Sequence, residues 1–200
     1  MTAPRFAPPE SPHPPRTCIR TPAPPPLADG RDAWQHHVAR IAAIREEVPL
    51  VKTYDLVFRD AATAAAYAFA PGQFNMLYLP GIGEAAFSIT SDPRNHTRIG
   101  HTVKAVGTVT QALARLREGD EVVVRGPFGT PWPLDDLRGR DVVIATGGVG
   151  LASVRAAILH LLHHRGDYGR VVVIFGAKTP TGLLYAHEYE GWRRAGIDLR

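Results

Sequence analysis

Between residues 34 and 134 apolar and polar positions exchange over short distances, which is the texture of strands rather than of amphipathic helices. His37–Arg45 and Val51–Phe58 read as strands with partial alternation. Tyr67-Ala68-Phe69 and Asn75–Leu79 follow, separated by the turn Pro71-Gly72. Phe87-Ser88-Ile89, His101–Val106 and Glu121–Arg125 bring the set to six or seven short strands. Turn signals every ten or so residues predict a small antiparallel barrel or sandwich. A short helix is expected over Gln111–Arg117, ahead of the turn Gly119-Asp120.

After Pro133 the period changes. Asp141–Ala145 is a continuous apolar run, as expected of a strand buried on both faces. It enters the loop Thr146-Gly147-Gly148-Val149-Gly150, then a helical stretch from Leu151 to about His164. A second such strand, Val171–Phe175, comes next, and a third starts at Ile197. Strand, glycine loop, helix and strand in this order open a parallel α/β domain. Two or three parallel strands do not close a doubly covered sheet, so this part reads as incomplete at its C-terminal end. Three segments result: a tail over 1–33, a barrel over 34–134 and an α/β domain over 135–200.

Ten of the 18 prolines fall within residues 1–30, in runs such as Pro8-Pro9 and Pro24-Pro25-Pro26. Such a stretch builds no hydrogen-bonded ladder and has little apolar surface to bury, so it reads as a disordered or polyproline II tail. It carries no apolar core of a secretory signal. The single cysteine, Cys18, lies in this tail. One thiol excludes a disulfide framework and any zinc or iron–sulfur site built from this chain's own cysteines. The formal net charge of +4 rests on 23 basic and 19 acidic residues. It is too small and too scattered to indicate nucleic acid. No apolar run approaches the roughly 18 residues of a membrane-spanning helix. The expected setting is the cytoplasm.

The glycine loop is the first candidate for chemistry. Gly147, Gly148 and Gly150 remove Cβ atoms where the chain turns and where a ligand can approach the backbone. The following helix start offers free N–H groups to a pyrophosphate. Ser153 stands where the six-residue dinucleotide fingerprint has its third glycine, and a plain tight β-to-α turn has the same look. The second candidate is Phe87-Ser88-Ile89-Thr90, where a hydroxyl beside an aromatic ring suits a planar conjugated ligand. In isolation it is ordinary strand packing. The third is Val103–Thr110: Gly107 opens the backbone there, and Thr108 and Thr110 either receive phosphate or cap a helix. His160, His163 and His164 have helical spacing but no carboxylate partner nearby in sequence, so they are set aside as a metal site. Lys178, just past the second parallel strand, is placed to meet a ribose 2′-phosphate.

Five segments together resemble the ferredoxin–NADP reductase family, in its order: Pro71-Gly72-Gln73-Phe74, Phe87-Ser88-Ile89-Thr90, Val103-Lys104 with Gly107 and Thr110, Gly126-Pro127-Phe128-Gly129, and Thr146–Gly150. Within it, Gly83–Ile89, Arg125–Pro133 and Gly176–Pro180 with Leu183-Leu184-Tyr185 look most like the gamma subunits of cytoplasmic nickel–iron hydrogenases. The resemblance implies an antiparallel flavin-binding barrel followed by a truncated parallel α/β nucleotide-binding domain. It implies that Phe87 packs on the flavin ring and Ser88 hydrogen-bonds near N5, with Ile89 and Thr90 completing the segment. Val103 and Lys104 would line the ribityl chain and ring edge, and Gly107, Thr108 and Thr110 would receive the FAD pyrophosphate. Thr146, Gly147, Gly148, Val149 and Gly150 would bring NAD(P)H against the flavin. Glu84 and Ala86 stand where the family's motif has arginine and proline.

The activity so implied is hydride transfer between NAD(P)H and FAD, with electrons passed to hydrogenase or iron–sulfur subunits. A [2Fe–2S] cluster is expected only with cysteines beyond residue 200. The electron-transfer subunit of dihydroorotate dehydrogenase and an oxygenase reductase share the same barrel. A non-catalytic FAD-binding or scaffolding module is the alternative from a different class.

Overall fold

The structure is a computed structural model that describes residues 33–200; most of the proline-rich segment, with Cys18, lies outside the described residues. Strands β1 (His37–Val48), β2 (Val51–Phe58), β3 (Phe74–Leu79), β4 (Gly83–Ser88), β5 (Ile99–Lys104) and β6 (Glu121–Phe128) form one antiparallel sheet in the order β4-β3-β6-β1-β2-β5. The sheet curls into a barrel-like layer that strand pairing does not close. Its two edges approach where the Thr90 N–H, just past β4, donates to the Gly100 carbonyl of β5 at 2.8 Å. Alternation along β2 turns Tyr54, Leu56 and Phe58 into the barrel core, while Val51 and Thr53 are buried on the other face. Ile41, Leu56, Leu77, Ile89, Leu113 and Val124 fill the centre.

The sequence expectations fail locally in two places. Tyr67–Phe69 is not a strand. It follows a short helix, α1 (Ala61–Ala66), that alanine-rich sequence and the Asp60 cap produce: the Thr63 N–H donates to Asp60 Oδ2 at 2.7 Å. Tyr67 is buried as a loop residue against Phe58, 4.9 Å between ring centroids. The helix expected over 111–117 is α2 (Thr108–Leu113), three residues earlier, because the Thr110 hydroxyl accepts the Val106 and Gly107 N–H groups and fixes the start.

A second sheet holds β7 (Val142–Gly147), β8 (Val171–Gly176) and β9 (Ile197–Leu199), parallel and in that order, with Val142 opposite Val171 and Val171 opposite Ile197. Helices α3 (Gly150–His163) and α4 (Tyr189–Arg194) contribute Leu151, Ile158, Leu161 and Trp192 to the core that covers Val142, Val171 and Val173. The expectation of strands buried on both faces is corrected here. Val143, on the opposite face, is 64% exposed among the described residues. Val51 of β2 belongs to this second core, so the tip of the β1–β2 hairpin is packed into the α/β half.

Candidate functional site

Ser88 ends β4, and four backbone groups of Ser88–Thr90 are held by hydrogen bonds. The Ser88 carbonyl accepts from His101 Nδ1 at 3.0 Å, and the Ile89 N–H donates to the Gln73 carbonyl at 3.0 Å. The Thr90 N–H reaches Gly100, and the Thr90 carbonyl accepts from Arg155 Nη1 at 2.5 Å. What remains free to act is the Ser88 side chain. It donates to the Ser153 hydroxyl at 3.1 Å. Ser153 lies on the first turn of α3, just past the glycine loop, so two candidate segments 65 residues apart in sequence meet at a pair of hydroxyls.

The glycine loop leaves β7 at Gly147. Gly148 takes φ +54, a left-handed conformation that costs little only without a side chain, and its N–H donates to the Gly176 carbonyl at 2.8 Å. A Cβ on Gly150 would stand 2.7 Å from Thr146 Oγ1, so the Thr146 side chain would have to turn to admit one. Beside the loop lies a cleft of about 280 Å³. Val51 and Lys104 come to it from the six-stranded sheet, Gly148 and Val149 from the loop, and Lys178 and Thr179 from the segment after β8. Two lysines from opposite halves thus face one space beside exposed glycine backbone. That combination suits a phosphate-bearing ligand.

The remaining candidates divide. Phe87 is 9% exposed and packs in the barrel core with Ile89 and Val103. Thr90 is fully buried, its hydroxyl 3.3 Å from that of Thr102. Thr108 and Gly107 are exposed at the start of α2. The Thr110 hydroxyl, besides accepting two N–H groups, donates to the Gly107 carbonyl at 3.0 Å. Glu84 forms a two-point pair with Arg125, at 2.5 and 3.1 Å, and the Arg125 guanidinium sits 4.9 Å over the Trp34 ring. Its charge is matched within the protein. The histidines divide: His163 Nε2 donates to Asp92 Oδ2 at 2.6 Å, while the His160 and His164 rings pack 4.6 Å apart and His160 Nε2 lies 3.2 Å from the Tyr168 hydroxyl. Burial raises the Asp92 carboxyl, but the Arg94 N–H and the His163 ring outweigh it and hold it below the usual range. The carboxylate partner absent from the local sequence comes from a distant loop.

Two polar systems behind the site are not legible in the motifs. In the first, the Ser88 carbonyl can only accept, so His101 carries its proton on Nδ1. Its Nε2 then accepts from Asn75 Nδ2 at 3.3 Å, and Asn75 Oδ1 accepts from the Tyr67 hydroxyl at 2.7 Å. Burial pushes His101 down to about 4, so it is neutral in this chain of bonds. In the second, Glu47, whose side chain is 1% exposed, accepts from the Thr53 hydroxyl at 2.7 Å. A carboxylate only accepts, and it thereby orients the hydroxyls behind it: Thr102 donates to Thr53 at 2.8 Å, and Tyr185 donates to Thr102 at 2.6 Å. The sequence signals were there but unspecific: one arginine, Arg155, among the apolar residues of a helical stretch, and one histidine in a strand of buried residues.

No family model matches the chain. It is 32% identical over 157 residues to sulfhydrogenase 1 subunit gamma of Pyrococcus furiosus, across 78% of this chain and 54% of that protein. It is 34% identical over 161 residues to the probable electron transfer subunit of dihydroorotate dehydrogenase B (NAD(+)) of Methanocaldococcus jannaschii, across 80% of this chain and 55% of that one. Among solved structures, ferredoxin–NADP+ reductase from Neisseria gonorrhoeae superposes with a TM-score of 0.70 at 20% identity, over 82% of this chain and 66% of that one. The chain spans about half the length of the curated relatives it matches. Its fold is that of the ferredoxin–NADP+ reductases, and its sequence is similar to sulfhydrogenase gamma subunits and dihydroorotate dehydrogenase electron transfer subunits.

Proposed function

We propose that this chain binds FAD at the open edge of the six-stranded sheet and supports hydride exchange with NAD(P)H, electrons then passing to a redox partner subunit. The observation that carries this reading is the Ser88–Ser153 contact, which brings the flavin-type segment to 3.1 Å from the first turn of α3, just past the glycine loop. Residues 34–134 would be the flavin half and 135–200 the nucleotide half. The residues present fit both groups. Exposed loop backbone at Gly148 and Val149 borders the cleft, and Lys104 and Lys178 supply positive charge beside it.

Bound FAD would supply the two-electron centre that exchanges hydride and releases electrons singly. The chain's own part is positioning. The Ser88 hydroxyl is a donor on a segment held by four backbone hydrogen bonds, so it can turn toward a ring nitrogen without moving the strand. Lys104 would border the ring edge with Val103 behind it in the core, and Gly107, Thr108 and Thr110 would stand at the pyrophosphate. Thr146–Gly150 would border the nicotinamide nucleotide, the Gly148 N–H being already given to Gly176. Phe87, held in the core, backs the segment rather than offering an open ring face.

The partner is proposed as a subunit of a nickel–iron hydrogenase complex, this chain serving as its diaphorase arm. A second reading, electron transfer to a dihydroorotate dehydrogenase subunit, is supported by the similarity to the M. jannaschii protein. Both readings share the hydride step and differ in the subunit that co-purifies.

The test is the visible spectrum of the protein after incubation with FAD and desalting. Retained flavin bands that bleach on adding NADH or NADPH are the expected result. A folded, colourless protein removes the reductase reading and leaves the fold.

A further inference from the structure

We propose that Arg155 is the positioning residue that sets the nucleotide loop against the flavin segment, and so governs the hydride step without touching either cofactor. The inference rests on the functional reading above for what the two segments bind, and on the geometry alone for how they are held.

Arg155 lies on α3, two residues after Ser153. Its target, the Thr90 carbonyl, lies two residues after Ser88. Two contacts therefore join the same pair of segments in parallel: Ser88 to Ser153 at 3.1 Å and Arg155 Nη1 to Thr90 at 2.5 Å. The first is a weak contact between hydroxyls. The second is a charge-assisted bond from a side chain that is held on its other sides. Arg155 Nε and Nη2 fork onto Glu188 at 3.0 and 2.6 Å, and the guanidinium lies 4.9 Å over the Tyr185 ring. Tyr185 in turn is anchored to the barrel through Thr102, Thr53 and Glu47.

Each of the three guanidinium nitrogens thus has a partner, on two different segments. A lysine at this position has one point charge on a flexible stem and cannot hold Glu188 and Thr90 in one geometry. Without the fork, the first turns of α3 and the loop before them lose their registration to Ser88, while the flavin half keeps its own hydrogen bonds. Hydride transfer is sensitive to displacements of this size because reacting atoms must be held close and aligned.

The experiment compares wild type with Arg155→Lys, each loaded with FAD. Flavin reduction by saturating NAD(P)H is expected to slow about tenfold or more. The FAD dissociation constant should stay within about twofold, and dithionite should reduce both proteins equally fast. Slowed dithionite reduction or lost FAD would mean general damage and overturn the positioning role. An unchanged NAD(P)H rate would also overturn it.

Hydrogen exchange without cofactor separates this from the functional reading. Faster exchange at Ile89, Thr90 and the first turn of α3, with β1 and β2 unchanged, supports the clamp; equal exchange sinks it. A wild type that binds no FAD overturns the functional reading alone, and the exchange data then decide the clamp. Should Arg155→Lys fail to fold, Glu188→Gln loosens the same fork while leaving Arg155 on Thr90, and it is read by the same measurements.

Discussion

The Ser88 hydroxyl donates to the Ser153 hydroxyl across 3.1 Å, although the two residues are 65 positions apart and stand in different halves of the molecule. Ser88 has no competing side-chain duty, while its backbone is bonded to His101. A hydroxyl so placed exchanges one partner for another by rotating about χ1.

Ser88→Ala is therefore expected to leave FAD bound and to slow single-turnover flavin reduction by NAD(P)H about tenfold or more. Ser153→Ala removes only the resting partner and should change that rate by less. Stopped-flow absorbance reads both. A Ser88→Ala protein reduced at the wild-type rate removes Ser88 from the reacting site.

Stability should fall in mild acid because of His101. It is fully buried, and burial lowers it to about 4 from an ordinary 6.5, against the opposing pull of the Ser88 and Phe87 carbonyls. Between pH 6.5 and 4 the unfolded chain holds a proton here that the native protein does not. Native stability therefore rises with pH across this window, and is lost as pH falls through it, by about 3 kcal/mol in all. Denaturant melts from pH 7 to 4 in wild type and His101→Gln measure this. The variant should lose stability less steeply, and equal slopes would assign the acid sensitivity elsewhere.

Two glycines with positive φ should respond differently to alanine. Gly148, at φ +54, has open space where a Cβ would go, so Gly148→Ala should cost about 1 kcal/mol of backbone strain. Gly126, at φ +139, directs that Cβ into the Asn75 side-chain oxygen, which already accepts from Tyr67. Gly126→Ala adds a clash and a broken buried network, for about 3 kcal/mol or more. Thermal melts would contradict the account if the two variants were equally stable.

Lys178 borders the same cleft as Lys104 and Gly148. If it meets a ribose 2′-phosphate, Lys178→Ala should raise the KM for NADPH about tenfold and leave that for NADH unchanged. Steady-state kinetics with an artificial acceptor read the difference. Parallel changes with both nucleotides would remove its role in discrimination.

The strand pattern, the glycine loop and the helix after it were determined by the sequence, because burial of alternate residues and the freedom of Gly147, Gly148 and Gly150 are local properties. β2 and β7 through α3 match the expected elements within a residue or two. Where local signals were weak, as at Tyr67–Phe69, a side chain that looked like part of a strand turned out to be buried from a loop. Ser88, Lys104 and the glycine loop stood among the candidates because five segments in order resemble one family; each segment in isolation also reads as ordinary packing or a plain turn.

Only the tertiary structure decided which of these meet. Ser88 reaches Ser153, Lys104 shares a cleft with Lys178, and Glu84 is consumed by Arg125. His101, Arg155 and Glu47 carried no motif, since each acts through a partner at least six residues away. A buried polar group must find its hydrogen bond wherever the fold supplies one. That pairing belongs to the packed chain and has no local period to read.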